Sequence, residues 1–251
     1  MSSTEFTLAA RLRLFLTPSN ALPLVCSCPF LLAARLASFS PHPSFLADPA
    51  HFLSCPILKD LRRVRHDRLV RLLSSLVHQV GGVCQIEPSH FPTARPDLLV
   101  FMFDSSFLLD LVVSHPSAPS HLSRSPVPLV CNRYAESRKF THYSSILSSS
   151  FQIVPFALES FGAFGSCATS FIGRLDALSR QHLSTSLPTP PVLPSISILL
   201  QKCNAYILSR GVVLVRSSSA SSLSAISSSS LSAILSSSHL NILILALEGA
   251  V

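Results

Sequence analysis

The sequence predicts a mixed α/β domain, and three observations carry the prediction. Apolar residues recur at three- and four-residue spacing over residues 59–80, the period of a helix with one buried face. After Gly81-Gly82 the apolar runs shorten and are bounded by Asp, Ser and Pro, the pattern of strands. Helix-length segments then alternate with one more short apolar run, before proline and serine take over. Helix, three strands, helix, strand, helix is the order of a domain whose helices pack on a sheet.

Taken in order, residues 1–58 are rich in Pro and Ser and end in Asp48-Pro49-Ala50-His51-Phe52-Leu53-Ser54-Cys55-Pro56, so a small loop-rich module is expected. A short helix is read over residues 8–16, which carry Arg11 and Arg13, and no secretory cleavage site follows. The first long helix covers residues 59–80. Leu69, Leu72, Leu73, Leu76, Val77 and Val80 form its stripe, Lys59, Arg62, Arg63, Arg65, Arg68 and Arg71 crowd its first half, and Gly81-Gly82 end it. Cations at a helix N-terminus oppose its dipole, so an external anion there would relieve them.

Strands are read at residues 83–86, 98–103 and 107–113, with Asp104-Ser105-Ser106 as the turn between the last two. A second helix is expected over residues 129–147 and a fourth strand over residues 151–158 in spite of Pro155. A break from Gly162 to Gly165 precedes a third helix over residues 166–182. Beyond Pro188, Pro190, Pro191 and Pro194 a last helix is read over residues 196–210, before Gly211. Ser222-Leu223-Ser224-Ala225-Ile226 then recurs as residues 230–234 among serine runs, and disorder or a poorly packed helix is expected there. The division is a module at 1–58, a main domain at 59–183, a linker and helix at 184–216, and a low-complexity tail at 217–251.

Composition narrows the function classes. Of 251 residues 48% are hydrophobic, enough for a substantial core, while charged residues make up only 12%, about half the usual share. Nineteen Lys and Arg against 12 Asp and Glu give a net charge of +7, and the excess is clustered, which favours a polyanionic partner. The seven cysteines are odd in number and unevenly spaced, which argues for reduced thiols or a metal site over a disulfide framework. No charge falls between Ser217 and Leu247, yet serine is frequent and only residues 242–247 are continuously apolar, so no stable membrane span is expected.

Against so few acids, Asp97 in Arg95-Pro96-Asp97-Leu98-Leu99-Val100 and Asp110 in Phe107-Leu108-Leu109-Asp110-Leu111-Val112-Val113 stand out. Hydrolysis of a phosphodiester needs a divalent ion to polarise the phosphoryl oxygens and to make a nucleophile of water. Two carboxylates on adjacent strands are the smallest protein contribution, because Mg²⁺ takes few hard oxygen ligands and keeps its waters. Direct opposition of the two requires a turn centred between Phe103 and Asp104, whereas the evident turn is centred on Ser105. A bulge or bend near Asp97 is therefore expected. The rival account makes Asp97 a strand-initial residue after a proline and Asp110 an exposed alternate position; spacing leaves both open.

A longer series surrounds the pair. Arg65-His66-Asp67, Glu87-Pro88, Arg95-Pro96-Asp97, Asp110 with His115-Pro116, Glu136 with Lys139 and Tyr143, and Pro155-Phe156-Ala157-Leu158-Glu159 with Gly162 and Gly165 occur in that order, followed by Gln201, Asn204 and Ala205. The series resembles the C-terminal region of non-LTR retrotransposon reverse-transcriptase polyproteins, in which a zinc knuckle and a restriction-like endonuclease follow the polymerase. It runs from about residue 6 to residue 211.

The resemblance implies a restriction-endonuclease-like core and a phosphodiester hydrolase that nicks target DNA with Mg²⁺ or Mn²⁺ held by Asp97 and Asp110. The usual lysine two residues after the second acid is Val112 here. In the retroelement branch a lysine from the next helix replaces it, which is Lys139, with Glu136 one turn away and Tyr143 one turn beyond. Lys59, Arg62, Arg63, Arg65, Arg68 and Arg71 would contact DNA phosphates without reading sequence. The implied knuckle holds zinc on Cys26, Cys28, His51 and Cys55. Target DNA and the element's RNA are the implied partners, in the nucleus and not in the secretory route. The competing expectation is an inactive remnant or a nucleic-acid-binding module, favoured by the serine repeats and the tight Cys26-Ser27-Cys28 spacing.

Overall fold

A computed structural model of the chain describes residues 51–89, 91, 95–103, 105–116, 129–144, 151–182 and 191–224. It is mixed α/β. Helix α1 (His51–Ser54) and a 3₁₀ turn (Pro56–Leu58) lead into α2 (Lys59–Gln79). Strands β1 (Val83–Ile86), β2 (Leu98–Met102) and β3 (Ser105–Ser114) follow, then α3 (Val130–Tyr143), β4 (Gln152–Glu159), α4 (Ser166–His182) and α5 (Val192–Ser224). From α2 to α4 this is the order read from the sequence.

The apolar stripe of α2 faces inward and the helix stops where Gly81 adopts φ 81, with the Gly82 N–H returning to the Val77 carbonyl at 3.0 Å. Only a residue without Cβ takes that conformation cheaply, and it turns the chain directly into β1. The sheet order is β1-β2-β3-β4, with β1–β2 and β2–β3 antiparallel and β3–β4 parallel. Helix α3 makes the crossover that a parallel pair requires.

The β2–β3 register runs from Leu98↔Leu109 to Met102↔Ser105, so residues 103 and 104 alone connect the strands, and Phe103 has φ 51. The turn expected at Asp104-Ser105-Ser106 is thus displaced: Ser105 and Ser106 already belong to β3. A two-residue connection with a positive φ matches the right-handed twist of the paired strands. The index sum of each β2–β3 pair is 207, which is also the sum of 97 and 110. Asp97 and Asp110 lie one step beyond the last pair, Leu98↔Leu109; the chain bends at Asp97, and no bulge interrupts the five paired rungs.

Alternation along the strands sends Leu98, Val100 and Met102, Phe107, Leu109 and Leu111, and Val154, Phe156 and Leu158 to one face. There they meet Leu69, Leu73 and Val77 of α2, Phe171 and Leu175 of α4, and Ile196 and Leu200 of α5. Truncating any of these large, fully enclosed side chains to Ala would cost about 2–5 kcal/mol. Helix α3 packs against β3 and β4. Pro155 lies opposite Asp110 on β4, an edge strand, where a ladder tolerates a proline.

Helix α5 departs from expectation at both ends. It begins at Val192, with Pro194 in the first turn, where an N–H would have no intrahelical acceptor. It also continues through Gly211, since one interior glycine costs only about 1 kcal/mol. Its Ile207 and Leu208 form a second cluster with Phe52, Leu53, Cys55 and Leu58, so the end of the N-terminal section docks on the C-terminal helix. No described helix is long and apolar enough to cross a membrane.

Candidate active site

The site forms where β2 and β3 part. One step past Leu98↔Leu109 stand Asp97 and Asp110, and the next rung would join residue 96 to Leu111. Proline 96 has no N–H, so it cannot donate to the Leu111 carbonyl, and the strand leaves the sheet. Two side chains complete the rung instead. Asp97 Oδ2 accepts the Leu111 N–H at 2.7 Å, and His66 Nε2, from α2, approaches the Leu111 carbonyl at 3.2 Å. The same nitrogen lies 3.2 Å from Asp97 Oδ2, while His66 Nδ1 faces Asp67 Oδ1 at 3.3 Å.

Every partner of this imidazole is an acceptor, so both ring nitrogens carry protons and His66 is an imidazolium. Burial opposes that charge, but the Asp97 bond and charge, with Asp67 and the Leu111 carbonyl, prevail and raise its pKa to about 9. Beside it, the Glu87 N–H donates to the Asp97 carbonyl at 2.9 Å, and Glu87 itself has φ 48 and an exposed side chain.

Asp110 is 5% exposed and is served from α3. Lys139 Nζ donates to its Oδ2 at 2.7 Å and the Tyr143 hydroxyl donates to the same oxygen at 2.6 Å. The two donors are four residues apart, one helical turn, so they descend on one carboxylate together. Burial raises the Asp110 pKa; the Lys139 and Tyr143 bonds pull it down, and the charge of Asp97 pushes it up again. Burial and Asp110 hold the Tyr143 phenol well above its usual range, so it remains a donor. Among the described residues, Oδ1 of both aspartates carries no hydrogen bond.

Glu136 is elsewhere. Its Oε1 accepts the Cys167 N–H and its Oε2 the Ser166 hydroxyl, each at 2.9 Å, so it caps the N-terminus of α4. A Cβ at Gly165 would lie 2.3 Å from Oε1, and the glycine admits the carboxylate. Expected in the catalytic set, Glu136 instead spends both oxygens on a helix end.

The basic run divides as well. Lys59, Arg63, Arg68 and Arg71 are exposed, but Arg62 donates to the Cys55 carbonyl and Arg65 is only 3% exposed. Arg65 Nη1 reaches Asn204 Oδ1 at 2.8 Å, so it cannot contact DNA as expected. Burial and the neighbouring Arg62 lower its pKa to about 10.

Of the zinc ligands expected, Cys26 and Cys28 lie outside the described residues. His51 sits on α1, and Cys55 is fully buried in the cluster around Phe52 and Leu208. Among the described residues no three His, Cys, Asp or Glu side chains converge as a metal site. Two hard carboxylates with one oxygen each outside the hydrogen-bond network nevertheless suit Mg²⁺ or Mn²⁺, which take their other ligands from water and phosphate.

No family model matches this chain, and none of the curated proteins matches it.

Proposed function

We propose that the chain is a metal-dependent phosphodiester hydrolase, a restriction-like DNA endonuclease of the retroelement type that nicks its target. The observation that carries the reading is the acid pair Asp97 and Asp110, one step beyond the last β2–β3 rung, with Lys139 seated 2.7 Å from Asp110 Oδ2. A mixed sheet whose β2 alone runs against the others, entered from one helix and crossed by another, also supports a restriction-like core.

A divalent ion on Asp97 and Asp110 would polarise the scissile phosphate and lower the pKa of a bound water. The chain's own groups divide the remaining work. Lys139 stands on the site side of α3 as a cation for the charge that grows on the phosphoryl oxygens. Tyr143 orients Asp110 and gives up no proton. His66 fixes one oxygen of Asp97, leaving the other turned away from the protein's own donors. Exposed Lys59, Arg63, Arg68 and Arg71 supply backbone attraction that weakens with salt.

A second reading has one observation of its own. Asp110 is buried and paired, so it also satisfies the requirements of a purely structural ion pair, as in an inactive nucleic-acid-binding remnant. Nicking of supercoiled plasmid in Mn²⁺ separates the two: the nuclease reading expects nicking by wild type and none by Asp97→Ala or Asp110→Ala. Equal nicking by all three, or none by folded wild type, contradicts it. Zinc, if the knuckle is intact, is a separate proposal, tested by metal content before and after Cys26→Ser and His51→Ala.

A further inference from the structure

Arg65 is a poor choice for packing two helices. Its guanidinium is buried, Nε has no hydrogen-bond partner, and among the described residues no carboxylate pairs with it. Burying such a charge is costly, and Leu69, Leu73, Leu200 and Ala205 already supply apolar contact on these helices. Some placement must depend on it.

The hydrogen bonds that start at Arg65 close on themselves. Arg65 Nη1 donates to Asn204 Oδ1 on α5 at 2.8 Å, and Asn204 Nδ2 donates to the Ser160 carbonyl at 2.6 Å. The Ser160 N–H donates to the carbonyl of Ser114, the last residue of β3, at 2.8 Å. Three residues back along β3 is Leu111, whose carbonyl faces His66 Nε2, and His66 follows Arg65 on α2. The ring therefore runs from β3 through Ser160, Asn204, Arg65 and His66 back to β3. Asn204 is fully enclosed and is used at both ends, accepting from α2 and donating toward the sheet, which no carboxylate and no aliphatic side chain can do.

We infer that Asn204 is a positioning residue for the acid pair: through Arg65 it sets the seat of His66, and through His66 the direction of the Asp97 carboxylate. This rests on the nuclease reading only in what Asp97 is for; the ring itself is a matter of geometry. Helix α5 is then part of the site although it touches neither aspartate in the described hydrogen bonds.

The test uses the full chain and two readouts. The first is the NMR signal of the His66 Nε2 proton, protected from exchange by its bonds to Leu111 and Asp97; the second is Mn²⁺ affinity by spin-resonance titration. Asn204→Leu is compared with Leu208→Ala, which loosens the α5 cluster without touching the ring. Asn204→Ala, which removes both bonds with less bulk, stands in if the leucine variant does not fold.

The expected result is a proton signal kept in Leu208→Ala and lost or shifted in the Asn204 variant, with Mn²⁺ binding weakened about tenfold, the low end for groups that orient metal ligands. An unchanged signal in the Asn204 variant overturns the inference, as does equal loss in both proteins. If wild type binds no Mn²⁺, the nuclease reading falls, and the proton signal alone still decides the ring.

Discussion

Asp97 and Asp110 stand one step beyond the last rung of the β2–β3 ladder and are held in contrary ways. Asp97, with 17% of its side chain exposed, is bound into the sheet: it takes a backbone N–H that a proline-broken strand cannot serve and draws a charged His66 against it. Asp110, with 7% of its side chain exposed, is bound into a helix contact, with both donors coming from α3. The sheet fixes the first carboxylate before any ligand arrives, while the second depends on a crossover helix settling in place. The seat of Asp97 is thus tied to the sheet, and that of Asp110 to a helix.

The largest expected effect sharpens that contrast. On the proposed nuclease reading, Asp97→Asn and Asp110→Asn should each slow nicking about a hundredfold or more, since each would remove one of the two carboxylates proposed to hold the ion. Their stabilities should part. Asp110→Asn keeps an acceptor for Tyr143 and removes a buried charge, so chemical denaturation should leave it near wild type. Asp97→Asn weakens both the imidazolium contact and the ladder repair, and should lose about 1–3 kcal/mol. Equal losses would break the comparison.

Next, Lys139→Met should lower the nicking rate by about 10²–10³ while costing only about 1 kcal/mol of stability, because Lys139 is partly solvated and its ion pair is weakened accordingly. A third effect depends on pH. His66 has a folded pKa of about 9 against an ordinary 6.5, so its bonds stabilise the fold fully below pH 6.5 and lose that contribution as pH rises through 9. With part of the ring in solvent, the loss should be about 2 kcal/mol. Melting curves of wild type from pH 6 to pH 10 should fall relative to His66→Gln; parallel curves would remove the imidazolium from the account.

The smallest effect concerns the acid that left the site. Gly165→Ala forces a methyl group onto Glu136 and should cost about 1–3 kcal/mol with the nicking rate per folded molecule unchanged. A drop in rate out of proportion to stability would return Glu136 to the chemistry.

Much of this was legible from residues. The stripe of α2, the limits of β1 and α4, and the spacing of Lys139 and Tyr143 follow from periodicity, because both helix faces and strand faces repeat over short distances. The β2–β3 turn is hidden in the sequence because polar Asp104, Ser105 and Ser106 suggest a loop, while the left-handed conformation falls on Phe103, a residue that rarely adopts it.

Arg65 stands among solvent-facing cations in the sequence, yet it precedes Leu69 by four residues and so continues the apolar stripe, which marks it as inward-facing. Glu136 could not be placed without knowing which flank of α3 meets α4; Gly165 before a helix start was the only hint. His66 was visible beside Asp67, but its partner 31 positions on emerges only once Pro96 is seen opposite Leu111.

The central claim is that the two aspartates act as one unit on one ion, and a double-mutant cycle on single-turnover nicking in Mn²⁺ tests it directly. If they do, Asp97→Ala, Asp110→Ala and the double variant share one residual rate, because the second substitution has nothing left to remove. Losses that multiply, or a single variant that still nicks at the wild-type rate, would contradict it.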